Sequence, residues 1–319
     1  MVTSIVIPIH NEADGLVQFH RMLRDSIDVL RHTFEIWYVN DGSTDDTVDV
    51  VRGIIRDDPR VHLINLSRNF GKEAALTAGL DFADGEVVIT MDGDGQHSPH
   101  YIPTMLELHK QGFDIVLTQR SPDRDASLIK RFTSRLFYPL LNLFSDTSLI
   151  QGAADFRLLN REAVSSFRQM RESHRFQRAL VSWMGFHWTI IQIEVSPRIA
   201  GSSKYGLRKM LRLAYEAIFS FGTRPIRFAI VLGFLVLLMA LVQFLDPLIL
   251  IISGRTSELV PGWTTLIISV LILGAAQLIT LAIVGQYVGL IYEQVKHRPI
   301  YLLRDEPLDK DRLNQKEPV

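Results

Sequence analysis

The first part of the chain alternates between short apolar runs and longer amphipathic stretches. β-Branched runs at residues 4–9, 35–39, 61–66 and 87–91 are separated by periodic stretches at 16–30, 44–56 and 72–83. Short apolar runs bounded by turn residues read as strands, and the longer periodic stretches read as helices. Repetition of that unit predicts a mostly parallel sheet with helices on both faces, an α/β fold.

The unusual residues follow the strands: His10-Asn-Glu12 after the first, Asn40-Asp-Gly-Ser-Thr-Asp45 after the second and Ser67-Arg-Asn-Phe-Gly-Lys72 after the third. In an open parallel sheet these loops share the carboxyl edge, where such sheets bind ligands. Each also reads as local structure, since Asn40-Asp-Gly makes a good turn and Ser43 or Thr44 a good helix cap. The fourth run, Glu86-Val-Val-Ile-Thr-Met91, ends in Asp92-Gly93-Asp94. That triplet is either an acidic turn or a set of oxygen ligands for Mg²⁺ or Mn²⁺, suited to gripping a diphosphate.

Later the pattern changes. An apolar run covers residues 228–245 and continues past Asp246-Pro247 to 252, and a second covers 263–292. Each reaches the roughly 20 residues needed to cross a bilayer. Arg208, Lys209, Arg212, Arg224 and Arg227 precede the first run, and Lys296, His297, Arg298 and Arg304 follow the second. The intervening loop, residues 254–262, offers only Arg255 against Glu258. The positive-inside bias then puts both termini and the sheet domain in the cytoplasm, with a short external loop. Residues 127–144 and 207–221 mix basic with apolar side chains, as helices lying along a headgroup layer do.

Composition adds limits. The 319-residue chain is 47% hydrophobic, carries a net charge of −1 and has no cysteine. Disulfides, thiolate metal sites and cysteine nucleophiles are excluded, and no basic tract interleaved with aromatics suggests nucleic acid as a partner. The amino end lacks the basic flank and apolar core of a signal peptide.

Taken together, Ile7-Pro-Ile-His-Asn-Glu12, Val39-Asn-Asp-Gly-Ser43, Arg68-Asn-Phe-Gly-Lys72, Met91-Asp-Gly-Asp-Gly-Gln-His97, Asp155-Phe-Arg157, Arg198-Ile-Ala-Gly-Ser-Ser-Lys204 and the two apolar runs cover nearly the whole chain. The pattern resembles the GT-A fold, family 2 glycosyltransferases that load one sugar onto polyprenyl phosphate, the dolichyl-phosphate mannose synthase-like group. Within it, the two-span bacterial polyprenyl-phosphate glucosyltransferases are most similar.

The resemblance implies a Rossmann-like GT-A domain at 1–206 including an interfacial helix at 127–144, a juxtamembrane helix at 207–227, two spans within 228–292 and a cytoplasmic tail at 293–319. It implies that Pro8, His10, Glu12, Val39 and Asp41 line the base and ribose pocket, with Gly93 also against the nucleotide sugar. It implies that Asp92, Asp94 and Gln96 surround Mg²⁺ or Mn²⁺, that Arg120, Arg131 and Ser134 hold the acceptor phosphate, and that Arg198 and Lys204 close over the donor. Asp94, Asp155 and Arg120 are the residues expected closest to the chemistry, with Asp155 orienting sugar or acceptor.

Two loops depart from the family pattern: Asn40-Asp-Gly-Ser stands where Asp-Asp-Gly-Ser is usual, and Gly93 and Gly95 are expected to loosen the acidic loop. UDP-glucose is the expected donor and polyprenyl phosphate at the inner membrane the acceptor. GDP-mannose or a UDP-amino sugar such as aminoarabinose is the alternative donor. A processive synthase would need Gln-x-x-Arg-Trp, which Gln177-Arg-Ala-Leu180 does not supply. An inactive sugar-nucleotide-binding membrane scaffold is the alternative of another class. Apolar surface on the spans permits a homo-oligomer.

Overall fold

The computed structural model describes residues 2–120, 153–173, 175, 177–194, 224–253 and 262–304. The chain divides into two compact units, one holding the sheet together with residues 298–304 and the other holding two long helices.

The first unit runs β1 (Val2–Ile9), α1 (Ala13–Ile27), β2 (Thr33–Asn40), α2 (Thr47–Asp57), β3 (Val61–Asn65), α3 (Lys72–Phe82), β4 (Val87–Thr90), a short 3₁₀ turn (Pro99–Tyr101), α4 (Ile102–Lys110), β5 (Ile115–Arg120), β6 (Ala153–Asn160), α5 (Arg161–Gln169), α6 (Gln177–Trp183) and β7 (Trp188–Ile193). The seven strands form one sheet in the order β3-β2-β1-β4-β6-β5-β7. All pairings are parallel except those of β6, which lies antiparallel between β4 and β5. The parallel α/β expectation therefore holds, with one inverted strand that the rhythm of the first four strands does not announce.

Strand order reverses at β1: the chain adds β2 and β3 on one side of it and then returns to place β4 on the other. Such a switch point opens a crevice at the carboxyl ends of the two diverging strands. Pro8 helps to open it. Pairing of β1 with β4 stops at Val6↔Thr90, and Pro8, which has no N–H to donate, lies beyond that point.

The core is the apolar interior of β1, β2 and β4 closed by α1 and α4: Ile5, Ile7, Leu16, Phe19, Ile36, Val87, Ile89 and Met105 are all fully buried. On the opposite face α3 lies almost against the strands. A Cβ built on Gly79 would sit 2.1 Å from Cγ1 of Val6 and 3.1 Å from Cγ2 of Val39. Hydrogen at that position is what lets the helix reach the sheet.

Ser43 and Thr44 do not cap α2, which begins at Thr47 after Asp46. Instead the Ser43 hydroxyl accepts from the Asn11 amide at 3.0 Å, and the Thr44 amide donates to the Asn11 side chain at 2.8 Å. The residues that look like caps are used to bind the loop after β2 to the loop after β1.

Among the described residues the second unit holds α7 (Arg224–Ile252) and α8 (Trp263–Val295), which pack on each other. One helix there, Ile268–Val295, is long and apolar enough to cross a membrane, with mean hydropathy 2.3, and Ile226–Met239 is a shorter apolar stretch. The two-span expectation is thus met in part. The expected interfacial helix at 127–144, most of the juxtamembrane helix at 207–227, the loop at 254–261 and the tail beyond Arg304 lie outside the described residues.

Gly79→Ala is expected to push α3 off β1 and lower stability by about 1–3 kcal/mol, the usual cost of overpacking. Thermal unfolding of the purified protein checks it: a midpoint equal to wild type would mean that the contact relaxes freely.

Candidate active site

Three loops at the carboxyl edge are fastened to one another by hydrogen bonds. Asp41, 4% exposed, accepts from the Phe70 amide at 2.7 Å and from the Gly71 amide at 3.0 Å. Burial raises the pKa of Asp41, while those two amides and nearby His10 and Arg68 oppose the rise. His10 bridges the same loops, with Nδ1 2.9 Å from the Asp41 carbonyl and Nε2 3.1 Å from the Asn69 side-chain nitrogen. An amide nitrogen only donates, so Nε2 accepts and the ring proton is assigned to Nδ1, facing the Asp41 carbonyl.

Gly42 completes the junction. Its φ is +62°, and an added Cβ would lie 2.4 Å from the Arg68 carbonyl carbon, so both conformation and space require glycine. Arg68 lies over the Phe70 ring at 4.2 Å. Val39 ends in the core of β2, in register with Pro8. Glu12 precedes α1, with its amide donating to the Thr47 hydroxyl at 2.9 Å. The expected pocket residues Pro8, His10, Glu12, Val39 and Asp41 therefore gather on the ends and following loops of two adjacent strands.

Across the crevice is a compact charge cluster. The Lys72 ammonium lies 2.6 Å from Oδ1 of Asp92 and 2.6 Å from Oδ2 of Asp155. Lys72 opens α3, Asp92 follows β4, and Asp155 lies on β6. Burial alone would lower the Lys72 pKa, but Asp155 and Asp92 outweigh burial and raise it, so the ammonium is charged at neutral pH. The Asp155 carbonyl accepts from the Thr90 hydroxyl at 2.6 Å, which locks β6 beside β4.

A second layer braces the helix start. Arg157, 1% exposed, donates to the Gln177 side-chain oxygen at 2.6 Å, and the Gln177 side-chain nitrogen donates to the Glu73 carbonyl at 3.0 Å. Gln177 thus ties the residue after Lys72 to the strand bearing Asp155.

Within the acidic loop, Asp94 accepts from the Gln96 amide at 3.0 Å, and Gly95 adopts φ +75°. The expected loosening by glycine is not what is found at Gly93, which is buried. Its Cβ position lies 3.1 Å from Cγ2 of Ile9 and 3.2 Å from Cγ2 of Ile7. The small residue lets the loop press against β1 and is a packing requirement.

His97, which the sequence reading leaves without a role, is fully buried in this loop and stacks on Phe156 at 6.0 Å. Its Nδ1 is 3.7 Å from Oδ2 of Asp92 and makes no hydrogen bond among the described residues, and its Nε2 is 3.4 Å from Arg120. Burial lowers the pKa of the ring, against the pull of Asp92. Arg120, at the end of β5, is thereby brought to the same edge as the acidic loop. Arg131, Ser134, Arg198 and Lys204 lie outside the described residues.

Asp92, Asp94 and Gln96 are hard oxygen donors within five residues, a set whose chemistry suits Mg²⁺ or Mn²⁺. Among the described residues no three His, Asp or Glu side chains converge as a metal site, and Asp92 already gives one oxygen to Lys72. The donors fit a divalent ion that takes its remaining ligands from phosphate oxygens and water, as Mg²⁺ commonly does.

Lys72 and His97 both lie inside motifs visible in the sequence. Lys72 was legible as a cation opening a helix at the ligand edge, but its pairing with Asp155 depends on the inverted strand. His97 carries no signal beyond its place next to Gln96.

Residues 4–167 match the model of glycosyl transferase family 2. An uncharacterized glycosyltransferase of Synechocystis (strain ATCC 27184 / PCC 6803 / Kazusa) is 36% identical over 98% of this chain and 98% of its own. A bactoprenol glucosyl transferase of Shigella phage SfV is 36% identical over 96% of this chain and 99% of its own, and a prophage bactoprenol glucosyl transferase homolog of Escherichia coli (strain K12) is 35% identical over 95% and 99%. Among solved structures, mannosyl-3-phosphoglycerate synthase from Rubrobacter xylanophilus aligns with TM-score 0.47 and 19% identity over 68% of this chain and 72% of its own. With a mostly parallel seven-stranded α/β sheet of the GT-A type and full-length relatives at this identity, the chain belongs to glycosyl transferase family 2 and is a glycosyltransferase.

Proposed function

We propose that this enzyme transfers one hexose, glucose in first place, from a UDP-sugar to polyprenyl phosphate at the cytoplasmic face of the cell membrane, inverting the anomeric centre. The observation that carries the reading is the meeting of Lys72, Asp92 and Asp155 at the switch-point crevice. Support for the acceptor and for glucose comes from relatives that bear the name bactoprenol glucosyl transferase and match over nearly their full length.

In this reading His10, Glu12 and Asp41, with Pro8 and Val39 beneath them, receive base and ribose, and Gly93 packs the acidic loop on β1 beside the nucleotide sugar. Asp92, Asp94 and Gln96 would hold Mg²⁺ or Mn²⁺, which when bound supplies positive charge to the leaving diphosphate. Arg120, with Arg131 and Ser134, holds the acceptor phosphate, and Arg198 and Lys204 cover the donor. Residues 1–206 form the catalytic domain, and 228–292 carry two spans with 254–262 outside. The helix Ile268–Val295 and the basic residues Arg224, Arg227, Lys296 and Arg298 at the outer helix ends support that topology.

The reaction asks little of a base. A phosphate monoester has its second pKa at about 6, so the lipid phosphate reaches neutral pH mostly as the dianion. One of its oxygens attacks the anomeric carbon from the face opposite the nucleotide. The bond from that carbon to the nucleotide's β-phosphate oxygen breaks, and the electron pair leaves with the nucleoside diphosphate. No proton need move. Asp155 suits an orienting role, since its Oδ2 is committed to the Lys72 ammonium at 2.6 Å.

The test is transfer of labelled sugar into the lipid phase by the detergent-purified enzyme, with polyprenyl phosphate, Mg²⁺ or Mn²⁺ and a panel of UDP- and GDP-sugars. UDP-glucose is expected to be the best donor; preference for GDP-mannose or a UDP-amino sugar would replace the donor assignment, and metal-independent transfer would remove the metal. Asp94→Asn is expected to lower kcat by on the order of 10²-fold or more, the usual loss when a charge-stabilising group at the reacting centre is removed. Wild-type rates in that variant would exclude Asp94 from the site.

A second prediction concerns the charge cluster. Lys72→Met leaves Asp92 and Asp155 without their shared cation and is expected to lose activity on the order of 10²-fold, with Lys72→Arg recovering part of it. If Lys72→Met keeps full activity, the ion pairs belong to the resting fold alone.

A further inference from the structure

The segment that follows α8 returns to the sheet. The Ser67 amide donates to the Leu302 carbonyl at 2.8 Å, the Arg304 amide donates to the Asn65 carbonyl at 2.9 Å, and Leu66 and Leu303 form an antiparallel bridge. These three residues lie where β3, the edge strand of the sheet, runs out into the loop that carries Arg68, Asn69, Phe70 and Gly71. One residue earlier, the Tyr301 hydroxyl donates to Oδ2 of Asp81 at 2.9 Å, and Asp81 also receives both guanidinium nitrogens of Arg171 at 2.8 and 2.9 Å. Asp81 lies in the last turn of α3.

Residues 301–304 therefore grip both ends of one continuous piece of chain. At its start they hold the backbone on either side of Leu66; at its end they hold the last turn of α3. Between these points lie the two amides that bind Asp41, the Asn69 contact with His10, and Lys72 between Asp92 and Asp155. An edge strand needs only cover, and two backbone hydrogen bonds at its very end cover little of it. Their placement at the entry to the donor loop fits positioning better than edge protection.

We propose that residues 301–304 are a positioning strap for the donor-binding loop: pairing with Asn65–Ser67 and bonding to Asp81 set the Ser67–Gly71 loop against Asp41 and His10, and so set the affinity for the nucleotide. The inference rests on the reading of that loop as part of the nucleotide pocket. The strap acts on the loop through the backbone of Leu302 and Arg304 and on α3 through the Tyr301 hydroxyl.

The experiment uses the full-length purified protein and Arg304→Pro, which removes the amide that donates to Asn65. Arg304→Ala keeps that amide, and Leu302→Ala alters a side chain that is 52% exposed while leaving its carbonyl. Hydrogen exchange at Ser67, Phe70 and Gly71 and binding of UDP and GDP are measured for each, with KM and kcat for the donor. In Arg304→Pro these amides are expected to exchange about tenfold faster and the Kd of the bound nucleotide and the donor KM to rise about tenfold, as local opening of that size would give. kcat is expected to stay within about twofold of wild type, and Arg304→Ala and Leu302→Ala to match wild type. Unchanged exchange in Arg304→Pro, or a fall in kcat with Kd and KM unmoved, overturns the strap. If neither nucleotide binds the wild type, the functional reading fails instead, and exchange at Ser67, Phe70 and Gly71 still decides whether the strap sets the loop.

Discussion

Three aspartates from three different strands are drawn to the amino end of one helix, and the site depends on that convergence. Asp41 after β2 takes the amides of Phe70 and Gly71 just ahead of α3, and Asp92 after β4 and Asp155 on β6 take the ammonium of its first residue, Lys72. The helix end supplies both kinds of positive charge, unpaired backbone N–H groups and a lysine. Without Lys72, two carboxylates side by side would repel each other by about 4 kcal/mol at 4 Å in a surface-like dielectric. The shared cation offsets that repulsion and aims both at one place.

The sheet makes the convergence possible through features that look minor one at a time. Gly79 lets α3 lie against Val6 and Val39, so its amino end reaches the strand ends. Pro8 ends the pairing of β1 and β4 in effect early, and the crevice opens there. The antiparallel β6 enters between β4 and β5 so that Asp155 arrives beside Asp92 from the opposite chain direction, and the Thr90 hydroxyl holds it there. The buried chain from Arg157 through Gln177 to the Glu73 carbonyl then fixes α3 to β6.

Local periodicity was enough to read the first four strands, the three helices between them and the edge at which their loops meet. Boundaries drifted by a few residues where side chains serve the tertiary structure: Ser43 and Thr44 have the chemistry of caps but spend it on Asn11, and α2 begins later. What could not be read was anything set by the inverted strand. Asp155 and Lys72 are 83 positions apart, and no spacing rule joins them; the pair exists because β6 runs against its neighbours. His97 was hidden for the same reason. It stacks on Phe156 of β6, a contact no local pattern encodes. The strap is the same case at greater distance, with Leu303 bridging to Leu66 through backbone groups that every residue carries.

This construction suits a reaction in which charge moves and protons do not. A general base must be free to accept, yet Asp155 offers the ammonium one of its two oxygens at 2.6 Å, and Asp92 does likewise. A carboxylate so held is already engaged in orienting the lysine and its neighbours. The phosphate nucleophile of the proposed reaction removes the need for a base. What remains is to hold two anionic reactants together long enough for an in-line displacement, and fixed, mutually bonded charges do that at little reorganisation cost. In the proposed reaction the mutual bonding of the aspartate–lysine cluster is part of the chemistry, and the loops tied to it inherit their geometry from the same helix end.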